Sequence, residues 1–307
     1  MLVKHRFWLH LYCTVKKALT SAMILSLIGL YPLPANALGS DIGDTIAPVP
    51  GHDLLAGYVL ANRNSSMYKN GDVVSRQAKL KATTSIIRYA HPIALGDSMV
   101  GNPQFVLFHS NLSPDNVVGL RHTSGLADPL VGFPIWLHVD RANNNYFVIG
   151  PYVFLPIGEY DHNDLLNPGE NRWKATVQAL YQRGLGPNWR LELAAEATVY
   201  GKNNEYGPSK MTLRQRPWYE TKVAFNYQFD NPGHTLVGVG LYHDIGGETK
   251  LDNNWQGDRT KTTGFYSETS TFVTASDQIL FGYYRDLDVE SGFKMDQQLR
   301  VRILHVF

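Results

Sequence analysis

Beyond residue 50 the chain alternates apolar and polar positions with a period of two. From 189 to 200, Trp189, Leu191, Leu193, Ala195, Ala197 and Val199 form one face, and Arg190, Glu192, Glu196 and Thr198 the other. Wound as a helix, these residues would scatter charge around the whole circumference; extended, they separate cleanly. Trp173, Ala175, Val177, Ala179 and Tyr181 alternate in the same way with Lys174, Thr176, Gln178 and Gln182. So do Tyr219, Thr221, Val223, Phe225 and Tyr227 with Glu220, Lys222, Asn226 and Gln228. Runs of this length, with rings at their ends, predict tilted membrane strands of about 9 to 11 residues.

The end of the chain sharpens the prediction. Leu299, Val301, Ile303, His305 and Phe307 fall on one side of a final strand, and Arg300 and Arg302 on the other. A terminal ring on an alternating strand is the habit of the closing strand of an outer-membrane barrel, and Phe307 is the expected assembly signal. The spans are 53–61, 80–90, 102–109, 130–140, 145–155, 172–183, 188–200, 217–229, 234–246, 260–274, 277–288 and 296–307. Short connections at 141–144, 184–187, 230–233 and 275–276 alternate with long ones at 62–79, 110–129, 156–171, 201–216 and 247–259. Short inner turns and long outer loops are the asymmetry of such barrels. The predicted fold is all-β, a transmembrane antiparallel up-and-down β-barrel of about 12 strands with both termini in the periplasm. Residues 117–122 could form a further strand, but an odd count would put the termini on opposite sides, so they are assigned to an outer loop.

Seventeen tyrosines and 27 glycines suit many strands and turns, and a net charge of +1 leaves no basic excess for nucleic acid. The first forty residues read as a processing segment. Lys16 and Lys17 precede a short apolar run that ends in Pro32 and Pro34, followed by Ala35-Asn36-Ala37. A membrane anchor would need about 20 apolar residues, so cleavage after Ala37 is expected. The domain reading is a signal peptide over 1–37, a periplasmic lead-in over 38–51 and the barrel over 52–307. Cys13, the single cysteine, lies in the removed segment, so disulfides and thiolate sites are not expected. The expected location is the outer membrane of a Gram-negative bacterium.

Three short segments carry more than patterning: Gly125-Leu-Ala-Asp128, Leu155-Pro-Ile-Gly158 and Asn167-Pro-Gly-Glu-Asn-Arg-Trp173. With the terminal Phe, their order resembles the outer-membrane family named for a meta-pathway of phenol degradation, whose members carry G-x-G-D and L-P-T-G elements. The resemblance covers roughly residues 50–307, with Ala127 and Ile157 as departures from the pattern. It implies a transporter-like barrel that admits small hydrophobic or aromatic compounds, and no phenol-degrading chemistry. Read physically, Asp128-Pro129 and Leu155-Pro156 end strand pairing at the rim, and Gly158 and Gly169 permit backbone approaches that a side chain would exclude.

Candidate lumen and selectivity residues are Arg190, Glu192, Glu196, Glu220, Lys222, Arg300 and Arg302, which the alternation turns inward, with Trp136, His138 and Tyr152 as inward rings. Mixed signs argue for a polar interior that can be plugged rather than a single-sign ion filter. The plain alternative is a solvated wall without selectivity. Two Ser–His pairs, His122/Ser124 and His109/Ser110, raise a lipid hydrolase, but neither has a recognisable oxyanion element. The acidic clusters at 161–164 and 252–258 complete no calcium loop. No catalytic residue, metal or cofactor is therefore predicted. The function expected is passive uptake of small hydrophobic or aromatic solutes, with a non-transporting structural or surface-interaction barrel as the alternative. Expected partners are outer-membrane lipids and lipopolysaccharide, the barrel-assembly machinery and the solute.

Overall fold

The computed structural model describes residues 39–307; the expected signal peptide and its expected cleavage site lie outside them. Twelve long strands run antiparallel to their neighbours: β1 (Leu54–Lys69), β2 (Lys79–Ala90), β3 (Gln104–Asp115), the two-part β4 (Leu130–Gly132 and Ile135–Asp140), β5 (Asn145–Phe154), β6 (Lys174–Gly184), β7 (Trp189–Tyr200), β8 (Trp218–Gln228), β9 (Leu236–Gly246), β10 (Thr260–Phe272), β11 (Asp277–Val289) and β12 (Gly292–Val306). Each pairs with the next, and β12 pairs with β1 from Leu54↔Val306 to Tyr68↔Gly292, which closes the barrel. The predicted spans match these strands closely. The differences lie at the outer rim, where β1 and β3 run on past the predicted ends to Lys69 and Asp115, and in β4, where Phe133-Pro134 interrupts the ladder. Proline cannot donate to a partner strand, so the break falls where it costs least.

The side chains are distributed inside-out relative to a soluble protein. Val59, Ile87, Val177, Phe225, Val239 and Ile303 are among the exposed residues of the outer surface, while Gln182, Asn226, Glu268 and Gln298 are buried inside. A closed barrel satisfies every ladder hydrogen bond internally, which is what hydrocarbon surroundings require. Trp189, Tyr227 and Phe229 pack edge to face at the end that carries the short turns and both termini, as an interfacial girdle does. Residues 117–122 form no strand; Thr123–Leu126 instead pairs with β3 and extends the wall upward. A four-stranded sheet, Asn203–Tyr206, Met211–Gln215, Thr249–Leu251 and Asn254–Trp255, is built from the two long loops after β7 and β9.

Phe307 sits at the seam. Its N–H donates to the Asp53 carbonyl at 3.0 Å, its ring meets His305 edge-on, and it is 63% exposed. Because the ring packs little within the folded barrel, Phe307→Ala is expected to reduce the yield of inserted, heat-modifiable barrel several-fold while leaving the melting of correctly inserted protein unchanged. Equal insertion yields would remove its role as an assembly signal.

Candidate functional site

The lumen is not empty. Within the segment read as a lead-in, Ser40 to Ala47 lie inside the barrel, against the inner faces of β4, β6, β7, β8, β10 and β12. The reason is hydrogen-bond complementarity. A backbone inside a barrel must find partners for its N–H and C=O groups, and the wall supplies them. The Ile42 N–H donates to Glu268 Oε2 at 2.7 Å and the Gly43 N–H to Glu192 Oε1 at 3.0 Å. Trp136 Nε1 donates to the Thr45 carbonyl at 2.8 Å, Thr45 Oγ1 to Gln182 Oε1 at 2.8 Å, and Arg141 to the Ala47 carbonyl at 2.8 Å. Ile42 fills an apolar seat beside Leu236, Tyr242, Tyr266 and Tyr284. Gly238 of β9 makes room for it, since a Cβ there would lie 2.8 Å from Ile42 Cγ2.

The electrostatic anchor of this plug is Asp41. Arg300 and Arg302 both donate to its carboxylate, Arg302 Nη1 at 3.1 Å from Oδ2, and Arg302 also reaches Asp44 Oδ1 at 2.8 Å. All three of Asp41, Arg300 and Arg302 are buried. Their alternation on β12 places Gln298, Arg300 and Arg302 in one inward column, and Arg300 Nη2 donates to Gln298 Oε1 at 3.3 Å. Arg300 lies over the Tyr284 ring at 4.6 Å and Arg302 over that of Tyr58 at 5.9 Å. Replacing water by aromatic faces around a guanidinium raises its demand for an anion.

The other inward residues fall as the alternation predicts. Glu220 pairs with Lys222 at 3.3 Å, and Lys222 donates to the Ser40 carbonyl at 3.4 Å. Glu196 accepts from Gln178 at 3.1 Å and stands directly beside Glu220, which stands beside Asp244. Arg190 and Glu192 are buried inside β7, and Trp136 and Tyr152 inside β4 and β5. His138 is the exception. The register between β4 and β5 steps from Phe147↔His138 to Val148↔Trp136, a bulge that turns His138 to the outer surface. Strict counting by twos cannot see an inserted residue. Asp41, Asp44 and Glu268 were not among the expected site residues; the available signal was two acids in a lead-in that precedes a wall with two inward arginines.

Two cavities lie in the lumen, the smaller against the plug. The lower, about 50 Å³, is bounded by Asp41, Asp44, Arg88, Trp136, Tyr152 and Arg300. The upper, about 220 Å³, is lined on one side by Phe108, Leu112, Phe154 and Leu166, and on others by Asn62, Asp244, Asp286, Arg172, Lys174 and Gln298. Its roof is the loop between β5 and β6, folded back by the three sequence motifs. Asp128 accepts from the Gly158 N–H at 3.0 Å and the Glu170 N–H at 2.9 Å. The Leu126 N–H donates to Glu159 Oε1 at 2.9 Å and the Gly169 N–H to the Glu159 carbonyl at 2.9 Å. Burial raises the Asp128 carboxyl above its ordinary range even against two N–H donors. A Cβ at Gly158 would sit 2.6 Å from the Ala127 carbonyl carbon and the Asp128 nitrogen, both backbone. Gly158→Ala is therefore expected to cost about 1–3 kcal/mol and loosen the roof, visible as faster proteolysis between 155 and 173.

The two Ser–His pairs lie on the wall and at the outer rim. His109 faces outward, whereas its neighbour Ser110 lines the upper cavity on the opposite face of β3. His122 and Ser124 are both exposed on the outer rim.

Residues 63–298 match the family described as "Putative MetA-pathway of phenol degradation". Among solved structures, the COG4313 outer membrane channel from Pseudomonas putida F1 is 34% identical, with a TM-score of 0.84 over 87% of this chain and 100% of that one. The β domain of the Bordetella autotransporter BrkA shares the barrel fold at 9% identity, with a TM-score of 0.50 over 83% of this chain and 99% of that one. No curated protein matches the sequence. Membership accounts for the rim motifs, the twelve strands and the closing strand together: the chain is an outer-membrane β-barrel of the channel type and belongs to this phenol-degradation-pathway family.

Proposed function

We propose that this barrel carries small hydrophobic or aromatic solutes passively across the outer membrane, entering through the upper cavity and leaving past the N-terminal segment. The observation that carries the reading is the upper cavity itself. At about 220 Å³, with Phe108, Phe154, Leu112 and Leu166 facing Asn62, Gln298 and Lys174, it has the size and mixed lining that suit a single substituted ring. Lys174 Nζ stands 4.2 Å over the Phe154 ring, so one wall already pairs charge with an aromatic face. A solute leaving the upper cavity toward the periplasm must displace the plug, which is hydrogen-bonded to the wall from Ser40 to Ala47. No step of chemistry is required of any residue.

Planar-bilayer recording of the purified full chain, together with growth of a deletion strain on dilute aromatic and aliphatic carbon sources, tests the proposal. Discrete conductance and slowed growth on aromatic sources are expected. A silent barrel whose deletion leaves every growth rate unchanged would sink it. The same occluded lumen favours the second reading, a non-transporting barrel that presents its outer four-stranded sheet to surface partners, and that result would favour it.

A further inference from the structure

The plug is held as a ligand would be. Its anchor is the Asp41 carboxylate, shared by two buried guanidiniums with the Tyr284 and Tyr58 rings against them, and Lys222, at the neighbouring Ser40 carbonyl, adds a third positive charge nearby. Planar guanidiniums paired in this way recognise carboxylates by geometry as well as by charge. The Nε atoms of both Arg300 and Arg302 are buried without a hydrogen-bond partner, so Asp41 does not exhaust what the pair can donate. Arg88 lines the cavity that touches Asp41, Asp44 and Arg300, which makes this patch of wall cationic whenever the segment's two acids leave. Glu268 lies 3.9 Å from Arg300 and is also engaged by Tyr284 at 2.5 Å and by the Ile42 N–H, so it offsets only part of that charge.

The pair is also connected to the upper cavity. Gln298, one inward position above Arg300, lines that cavity and accepts from Arg300. At the roof end of that cavity Glu170 pairs with both Arg172 and Lys174, and Asp128 and Asp286 line it as well. Of the acidic row Glu196, Glu220 and Asp244 on β7 to β9, which carries Lys222 beside it, Asp244 also lines this cavity.

We propose that Arg300 and Arg302 form the carboxylate-binding site of the permeation path, that its solutes are small aromatic carboxylates, and that Asp41 occupies it at rest as a built-in mimic of the solute. The inference rests on the transport reading for its purpose, but the binding site can be tested without transport. A solute carboxylate arriving by way of Gln298 replaces Asp41, and the segment is released because its anchor has been taken. An uncharged ring gains nothing from the pair, and a cationic ring is repelled by it.

Calorimetric titration of the full chain in detergent, using benzoate, benzyl alcohol and benzylammonium, tests the site directly. If Asp41 fills the site at least nine-tenths of the time, the apparent benzoate affinity is reduced by about tenfold or more, and Asp41→Asn should restore it. That substitution leaves every wall residue intact. Expected is a gain of that size for benzoate, none for benzyl alcohol, and cancellation when Arg302→Gln is added. Equal benzoate affinity in the wild type and Asp41→Asn, or an equal gain for benzyl alcohol, overturns the proposal. The conductance and growth experiment is independent: benzoate binding with a silent barrel would leave the site standing and remove the transport reading, and the reverse result would do the opposite.

Discussion

Removal of residues 39–48 should turn an occluded barrel into an open one, raising single-channel conductance by about tenfold or more. Twelve strands enclose more space than eight, which side chains alone nearly fill, and here the surplus is taken by a peptide. The segment contributes no strand to the ladder, so the β1–β12 seam is intact without it. Once it is gone, Arg300, Arg302, Glu192 and Glu268 face water instead of a buried backbone and can be hydrated in place. Planar-bilayer recordings of the two proteins at one salt concentration measure the effect. Unchanged conductance would mean that the roof, rather than the plug, limits flow. Heat-modifiable migration of the shortened protein establishes that the barrel itself still forms.

The second large effect is expected at Glu170. Its carboxylate accepts from Arg172 Nη2 and from Lys174 Nζ, each at 2.5 Å, and Arg172 is fully buried. Glu170→Gln removes the carboxylate that the two cations share under the roof, and breaking a buried pair from one side costs about 3–5 kcal/mol. The loop between β5 and β6 should then open locally, detected as loss of hydrogen-exchange protection between 155 and 173 with the strands unaffected. The pH dependence has a fixed sign. Burial alone would raise this carboxyl, but Lys174 and Arg172 outweigh it and hold the group at about 2. A depressed carboxyl contributes stability that is full above its ordinary value near 4.5 and is lost as the pH falls toward 2. Wild-type protection should therefore decline between pH 4.5 and 2, whereas Glu170→Gln should show little change over that window. A decline of the same size in both proteins would assign it to another group.

What could be read from the sequence and what could not divide along physical lines. Strand existence, facing and order were legible because a membrane barrel repeats one rule, apolar out and polar in, along every strand; Arg190, Glu192, Glu220, Lys222, Arg300 and Arg302 all point where that rule sends them. His138 escaped because one inserted residue in β4 inverts the rule locally. The plug escaped for a different reason. Its hold on the wall is made by hydrogen bonds between residues remote in sequence, and a segment of Asp, Ile, Gly and Thr has no periodicity to betray its seat. The rim motifs stood between these cases: their glycines announced tight approaches, but only the fold shows that all three segments close on one another around Asp128.

The two arginines of β12 have a consequence for the order in which the molecule is completed. The ion pair between Asp41 and Arg300 spans 259 residues, and the strand that supplies Arg300 also supplies the last ladder of the wall. The occluding segment is made first and can be latched only when the final strand has been made and turned its inner face to the lumen. Closure in the plane of the membrane and closure across it are thus a single late event. A barrel interrupted before that strand has neither a sealed wall nor a latch, so the occluded arrangement is reserved for finished molecules.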